Sequence, residues 1–235
     1  CFGTSRQDGL LQRPRGNGEI GPSDTWEPDP TELEHLLRIA LDPSISHELG
    51  ASVVVFGLGL VGQLCGQLAR LCGATPIIGV DLDEFRIDRA TQHACDTGIN
   101  PTNVADLRQE IVDRCPEDGA NIVLECTGLP RVFPQATGLA CLGGKLVAVG
   151  SPRGTVDMDF LQDVHLREVS IHGAHQPKTP EDDHIYYRWT KTRERALVLR
   201  LMAAGRLPLS HLITHESVPH ECHEVYTMLA DDPKD

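Results

Sequence analysis

Four residues have the types and the spacing to hold a diphosphate and a sugar. Gly57, Gly59 and Gly62 fall in the pattern G-x-G-x-x-G, and Asp81 follows about twenty residues later. The first glycine suits a tight turn, the second lets backbone approach a pyrophosphate, and the third lets a helix lie close against a strand. A carboxylate in the position of Asp81 accepts hydrogen bonds from the hydroxyls of an adenosine ribose. Its charge repels a 2′-phosphate, which favours NAD over NADP as the dinucleotide.

These residues need a strand, a turn, a helix and a second strand to position them, and the surrounding sequence supplies each. Ser52-Val53-Val54-Val55-Phe56 is the apolar, β-branched run expected of a parallel strand buried on both faces. Leu60, Leu64, Leu68 and Leu71 recur at helical spacing, so the glycines stand at a helix N-terminus, where N–H groups and the macrodipole favour an anion. Pro76-Ile77-Ile78-Gly79-Val80 is the second strand, with Asp81 at its end.

The rest of the chain repeats this alternation. Helices are expected at 83–93, 104–115, 131–141, 192–204 and 220–229, with Gly205 closing the fourth of these. Strands are expected at 97–101, 121–126, 144–149, 169–172 and 212–215. Such alternation gives an α/β fold with a Rossmann-type, doubly wound parallel sheet. Ligands in these sheets bind beyond the carboxyl ends of the strands, so the turns at Gly57, Asp81, Thr127, Gly150 and His172 should converge on one cleft.

Before this unit, residues 1–30 are rich in Gly, Pro, Ser, Asp and Arg and read as a loop or linker, and 31–48 as a lead-in helix capped by Thr31. The dinucleotide-binding unit is expected over 49–175. Residues 176–235 are expected to form C-terminal helices and a returning segment. The sequence opens on Cys1 and not Met, which suggests that it begins inside a longer or processed product.

A formal net charge of −13 argues against nucleic acid or an anionic membrane as partner. No apolar run reaches the length of a membrane span, and no signal pattern opens the chain. Eight cysteines lie at 1, 65, 72, 95, 115, 126, 141 and 222 without a C-x-x-C pair, which reads as reduced thiols in a cytoplasmic protein. Cys65 and Cys72 are spaced to share a side of the first helix.

The order GLGLVGQLCGQLARLCGA, GVDLDEFRIDRA, VLECTG, LGGKLVAVGSPRG and LITHESVP resembles the cofactor-binding half of the medium-chain dehydrogenase/reductase family, the zinc-type alcohol and polyol dehydrogenases. The resemblance covers about Leu37 to Asp235. It implies that Gly57, Leu58, Gly59, Leu60, Val61 and Gly62 hold the pyrophosphate, Asp81 the adenosine ribose, and Arg86 the flank of the adenosine. It also implies that Thr127 and Gly128 line the cleft, that Val149, Gly150 and Ser151 meet the nicotinamide end through their backbone, and that His172 stands beside the nicotinamide. Hydride transfer between an alcohol and NAD follows, with a homo-oligomer built through the sixth strand.

Family members also carry a GroES-like catalytic barrel whose Cys, His and acidic side chains hold zinc, which polarises the alcohol oxygen. Only about fifty residues precede the first strand here, and they lack strand alternation, a G-H-E segment and a four-cysteine cluster. The barrel is largely missing from this sequence, its zinc ligands and catalytic residues are not identified, and Cys1-Phe2-Gly3-Thr4 is read as coincidence. Two functions therefore stay open: an NAD-dependent oxidoreductase acting on a small alcohol or carbonyl substrate, represented by its cofactor half, or a non-catalytic NAD(H)-binding module.

Three clusters read more simply. His220-Glu221-Cys222-His223 is not H-E-x-x-H and reads as a solvated helix start. Tyr186, Tyr187 and Trp189 read as packing or a subunit contact. His172 and His175 flank a glycine, and only the former takes a pocket role from the resemblance.

Overall fold

The computed structural model describes residues 49–174, 180–182, 185 and 189–231. The loop and lead-in helix expected over 1–48, and the sites of His175, Tyr186 and Tyr187, lie outside the described residues.

Six strands form one sheet: β1 (Val53–Phe56), β2 (Ile77–Val80), β3 (Thr97–Ile99), β4 (Ala120–Glu125), β5 (Ala140–Ala148) and β6 (Ser170–Gly173). Their order is β3-β2-β1-β4-β5-β6, and every neighbouring pair is parallel. The chain builds outward from β1 through β2 to β3, then returns to lay β4 on the other side of β1. This reversal of direction makes the crevice in which doubly wound folds bind ligands.

The helices are α1 (Leu60–Leu71), α2 (Glu84–His93), α3 (Leu107–Val112), α4 (Phe133–Leu139), α5 (Lys191–Ala203) and α6 (Cys222–Asp231). Alternation along the strands feeds two cores, one on each side of the sheet. Val53, Val55 and Ile77 pack with Leu64 and Leu68 of α1, Ile87 of α2 and Val198 of α5. Val54, Phe56 and Ile78 pack with Ile111 of α3 and Ala136 and Leu139 of α4. Each fully buried Val, Leu or Ile contributes about 1.5–3 kcal/mol, so both faces anchor the sheet strongly. At the N-terminal ends of the central strands, Ser52 N and Oγ both donate to Asn121 Oδ1, at 2.8 and 2.9 Å, and Asn121 N donates to Ser52 Oγ at 3.0 Å.

Side-chain caps set several boundaries. Asp83 accepts from Phe85 N at 2.9 Å and starts α2. Asp106 accepts from Gln109 N at 3.2 Å, so the helix expected over 104–115 begins later, at Leu107, and ends at Val112. The helix expected over 131–141 opens as a 3₁₀ turn at Pro130–Val132 and yields to β5 at Ala140. That strand starts earlier than expected because Ala140 pairs with Ala120. An irregularity then resets the register to Ile122↔Lys145.

The strand expected at 212–215 does not form. Ser210–Leu212 is a 3₁₀ turn, and Leu212 N and Ile213 N donate back to Leu209 O and Ser210 O. A strand needs a neighbouring edge for its backbone groups, and among the described residues this segment lies against α2 instead. Arg89 Nη1 donates to His211 O, and the His211 ring stacks on His93 with centroids 3.9 Å apart.

Candidate functional site

The glycine turn joins β1 to α1. Gly57 N donates to Val80 O at 2.8 Å, and φ of +95° there suits a residue without a Cβ. A Cβ on Gly62 would lie 1.8 Å from Gly57 O, so the start of α1 rests directly on the turn. Gly59 differs: it is the N-cap of α1, and among the described residues no side chain caps it and a Cβ there would have nothing within 4 Å. The helix thus presents its first turn to an open space, which is what an anion needs. Leu58 is fully buried, whereas Leu60 is 39% exposed and Val61 half-buried in that first turn.

Asp81 reaches back to this turn. Its Oδ2 accepts from Leu58 N at 2.6 Å and its Oδ1 from Asp83 N at 3.0 Å. Each carboxylate oxygen has two lone pairs, so both oxygens are oriented while keeping capacity for a further donor. Arg86 lies in the first turn of α2 with Nε 3.8 Å from Asp83 Oδ2.

The ends of β4 and β5 meet in the same way. Val149 N and Gly150 N both donate to Glu125 O, at 2.9 and 2.8 Å. Gly128 and Gly150 approach so closely that a Cβ on Gly150 would lie 2.3 Å from Gly128 N. Thr127 stands beside Gly57, where an added Cβ would meet its Cγ2 at 2.7 Å. Gly57, Thr127, Gly128 and Gly150 are therefore brought together. Ser151 follows, exposed, and half-buried His172 on β6 pairs in register with Val147 of β5.

Glu125 is the residue that reading the sequence passed over. The sequence places it only within a strand, yet it is completely buried and its Oε1 accepts from Thr127 N at 2.7 Å, Gly128 N at 3.1 Å and Thr127 Oγ1. The available signal was an acid closing the apolar run Ile122-Val123-Leu124.

The thiols near the cleft are poor nucleophiles. Cys126 is pushed well above the usual thiol range by its hydrogen bond with Cys65 and by burial, and burial lifts Cys95 to about 12. Cys65 is buried in α1, while Cys72 is the half-buried cap that follows it. All seven described cysteines are free. Among the described residues no three His, Cys, Asp or Glu side chains are placed to hold a metal ion, so no zinc ligand set is available there. The His220 side chain is 82% exposed, 4.0 Å from Glu221, and Cys222 and His223 are exposed at the start of α6. No helix among these residues is long and apolar enough to cross a membrane.

Six parallel strands in this order, with a glycine turn and an acid at the switch point, define a Rossmann-type fold of the dinucleotide-binding kind. The family model described as "Zinc-binding dehydrogenase" matches residues 61–189, more than half of the chain, and the chain belongs to that family. It is 27% identical over 190 residues to L-threonine 3-dehydrogenase of Pyrococcus horikoshii, covering 80% of this chain and 51% of the relative. It is 30% identical over 166 residues to D-guloside 3-dehydrogenase of Escherichia coli, covering 70% and 47%.

Among solved structures, 2R,3R-butanediol dehydrogenase from Bacillus subtilis superposes with a TM-score of 0.69 at 22% identity, over 86% of this chain and 53% of that one. A short chain alcohol dehydrogenase of Escherichia coli CFT073 complexed with NADH gives 0.70 at 16%, over 87% and 55%. A zinc-binding dehydrogenase of Sinorhizobium meliloti 1021 bound to NADP gives 0.60 at 22%, over 79% and 49%. The chain thus spans about half the length of the relatives it matches.

Proposed function

We propose that this chain is the cofactor-binding half of an NAD-dependent oxidoreductase, residues 49–175 holding the dinucleotide and the C-terminal segment leading toward a catalytic barrel. The observation that carries the reading is the uncapped helix at Gly59, open in front and flanked by an oriented Asp81 carboxylate. In this reading the first-turn N–H groups from Leu60 to Gly62 take the pyrophosphate, Asp81 takes the ribose hydroxyls, and Arg86 borders the adenosine. Thr127, Gly128, Val149, Gly150, Ser151 and His172 border the nicotinamide end. The nicotinamide, when bound, supplies the hydride acceptor or donor. The chain's own residues bind it, fix its face and keep water from it.

The substrate is a primary or secondary alcohol or the matching carbonyl compound, in keeping with the alcohols and hydroxy compounds named for the relatives. The free thiols support a reducing, cytoplasmic setting. A homo-oligomer is proposed through β6, an edge strand whose Ile171 is 41% exposed.

Calorimetric titration of the full chain tests the reading. NAD should bind at least about tenfold more tightly than NADP, a difference of about 1.4 kcal/mol. Equal affinity, or a preference for NADP, would refute the role given to Asp81. Alcohol-dependent reduction of NAD, assayed with zinc supplied, separates the oxidoreductase from a non-catalytic NAD(H)-binding module, which binds without turnover.

A further inference from the structure

Glu125 holds two turns at once. Its main-chain carbonyl takes Val149 N and Gly150 N, and its Oε1 takes Thr127 N, Thr127 Oγ1 and Gly128 N. Its other oxygen, Oε2, is buried and, among the described residues, has no hydrogen-bond partner. Three donors converge on one oxygen, which therefore acts as an acceptor only. A buried oxygen left without a donor costs stability, and two turns could be tied by a neutral amide without bringing a charge inside the sheet.

We propose that Glu125 is a positioning residue of the cofactor cleft that also sets its preference between the oxidised and the reduced dinucleotide. The proposal rests on the dinucleotide reading given above, in which the two turns it clamps border the nicotinamide end. The oxidised nicotinamide ring carries a positive charge and the reduced ring carries none. A fixed negative charge buried behind the turns therefore favours the oxidised form. Because that charge is held by backbone donors in a water-excluded position, it acts without reorganising when the ring changes state.

Calorimetric titration of the full-length chain with NAD+ and with NADH reads the proposal directly. In Glu125→Gln the amide oxygen still accepts from the Thr127–Gly128 turn but the charge is gone. The preference for NAD+ over NADH should then fall by at least about fivefold, as expected for removing one unit charge at an effective dielectric of about 20. An unchanged ratio, or one moving toward NAD+, overturns the proposal.

Thr127→Val keeps the charge and removes one donor to Oε1. It should weaken both forms by about tenfold, an order set by the loss of one charge-assisted hydrogen bond, at an unchanged ratio. Unchanged affinities overturn the positioning role. A ratio shifted in Thr127→Val as it should be in Glu125→Gln overturns the role of the charge. These two results stand even if the Glu125 variant does not fold. A wild-type chain that binds neither form refutes the dinucleotide reading itself, and the proposal with it. Wild-type binding with no response in the variants refutes the proposal alone.

Discussion

Gly59 and Gly62 are three residues apart and carry opposite expectations. At Gly62 a methyl group would collide with Gly57 O at 1.8 Å, so Gly62→Ala must displace the turn or the helix. It should cost at least about 1–3 kcal/mol in denaturant unfolding, the usual cost of overpacking. At Gly59 the same methyl meets nothing within 4 Å and the backbone is extended, so Gly59→Ala should leave the melting temperature within a few degrees of wild type. It should nonetheless weaken NAD binding by about tenfold or more by filling the space in front of the helix. A fall in stability at Gly59, or an undiminished affinity, would contradict this division.

In the proposed reading Asp81 combines both kinds of role. In Asp81→Asn one oxygen becomes an NH₂ group facing a backbone N–H, either of Leu58 or of Asp83. Unfolding free energy should fall by about 1–2 kcal/mol and the preference for NAD over NADP should narrow, both measurable on one preparation.

Strands and helices were legible where a pattern was local. The β1–turn–α1–β2 unit could be placed because apolar alternation, three glycines and an acid each follow from a few adjacent residues. The 212–215 segment was not legible in the same way: Leu212 and Ile213 have a strand's composition, but pairing depends on an available edge. What the segment found instead was α2, through Arg89 and the stacked rings of His93 and His211. Glu125 was equally hidden, because its donors come from the following turn and its burial comes from distant layers of the fold.

The contact with α2 also predicts a pH dependence. Burial first, then the charges of His93 and Arg89, bring the His211 imidazole down from its usual value to about 4. Above an unfolded value of about 6.5 the ring is neutral in both states, and its contribution is fully present. As the pH falls toward 4 the unfolded chain binds a proton that the folded chain resists, so stability declines. Melting temperature should drop between pH 7 and pH 5, and His211→Asn should flatten that drop. An equal drop in the variant would place the cause elsewhere.

Taken whole, the described molecule leaves one edge strand with apolar neighbours. Ile171 on β6 is joined in the adjoining stretch by Phe160, Leu161 and Leu166, exposed by 65%, 55% and 56%. An unpaired edge with apolar side chains invites a second chain unless something covers it. Sedimentation of the wild-type chain should show a species of twice the monomer mass, and Ile171→Lys should shift it toward monomer. A wild-type chain sedimenting only as monomer would remove the proposed contact.

The strand order has a consequence for how the molecule comes into being. Ser52 and Asn121, whose side chains join the tails of β1 and β4, are 69 residues apart in the chain, while β1 and β2 are near neighbours. During synthesis the glycine turn and its helix can therefore assemble against β2 well before β4 emerges. One flank of β1 must wait, its backbone groups unpaired, until the second half of the sheet arrives. The glycine turn is thus in place before the far half of the sheet, and the interval before the other flank of β1 closes is when that strand is most exposed to mispairing.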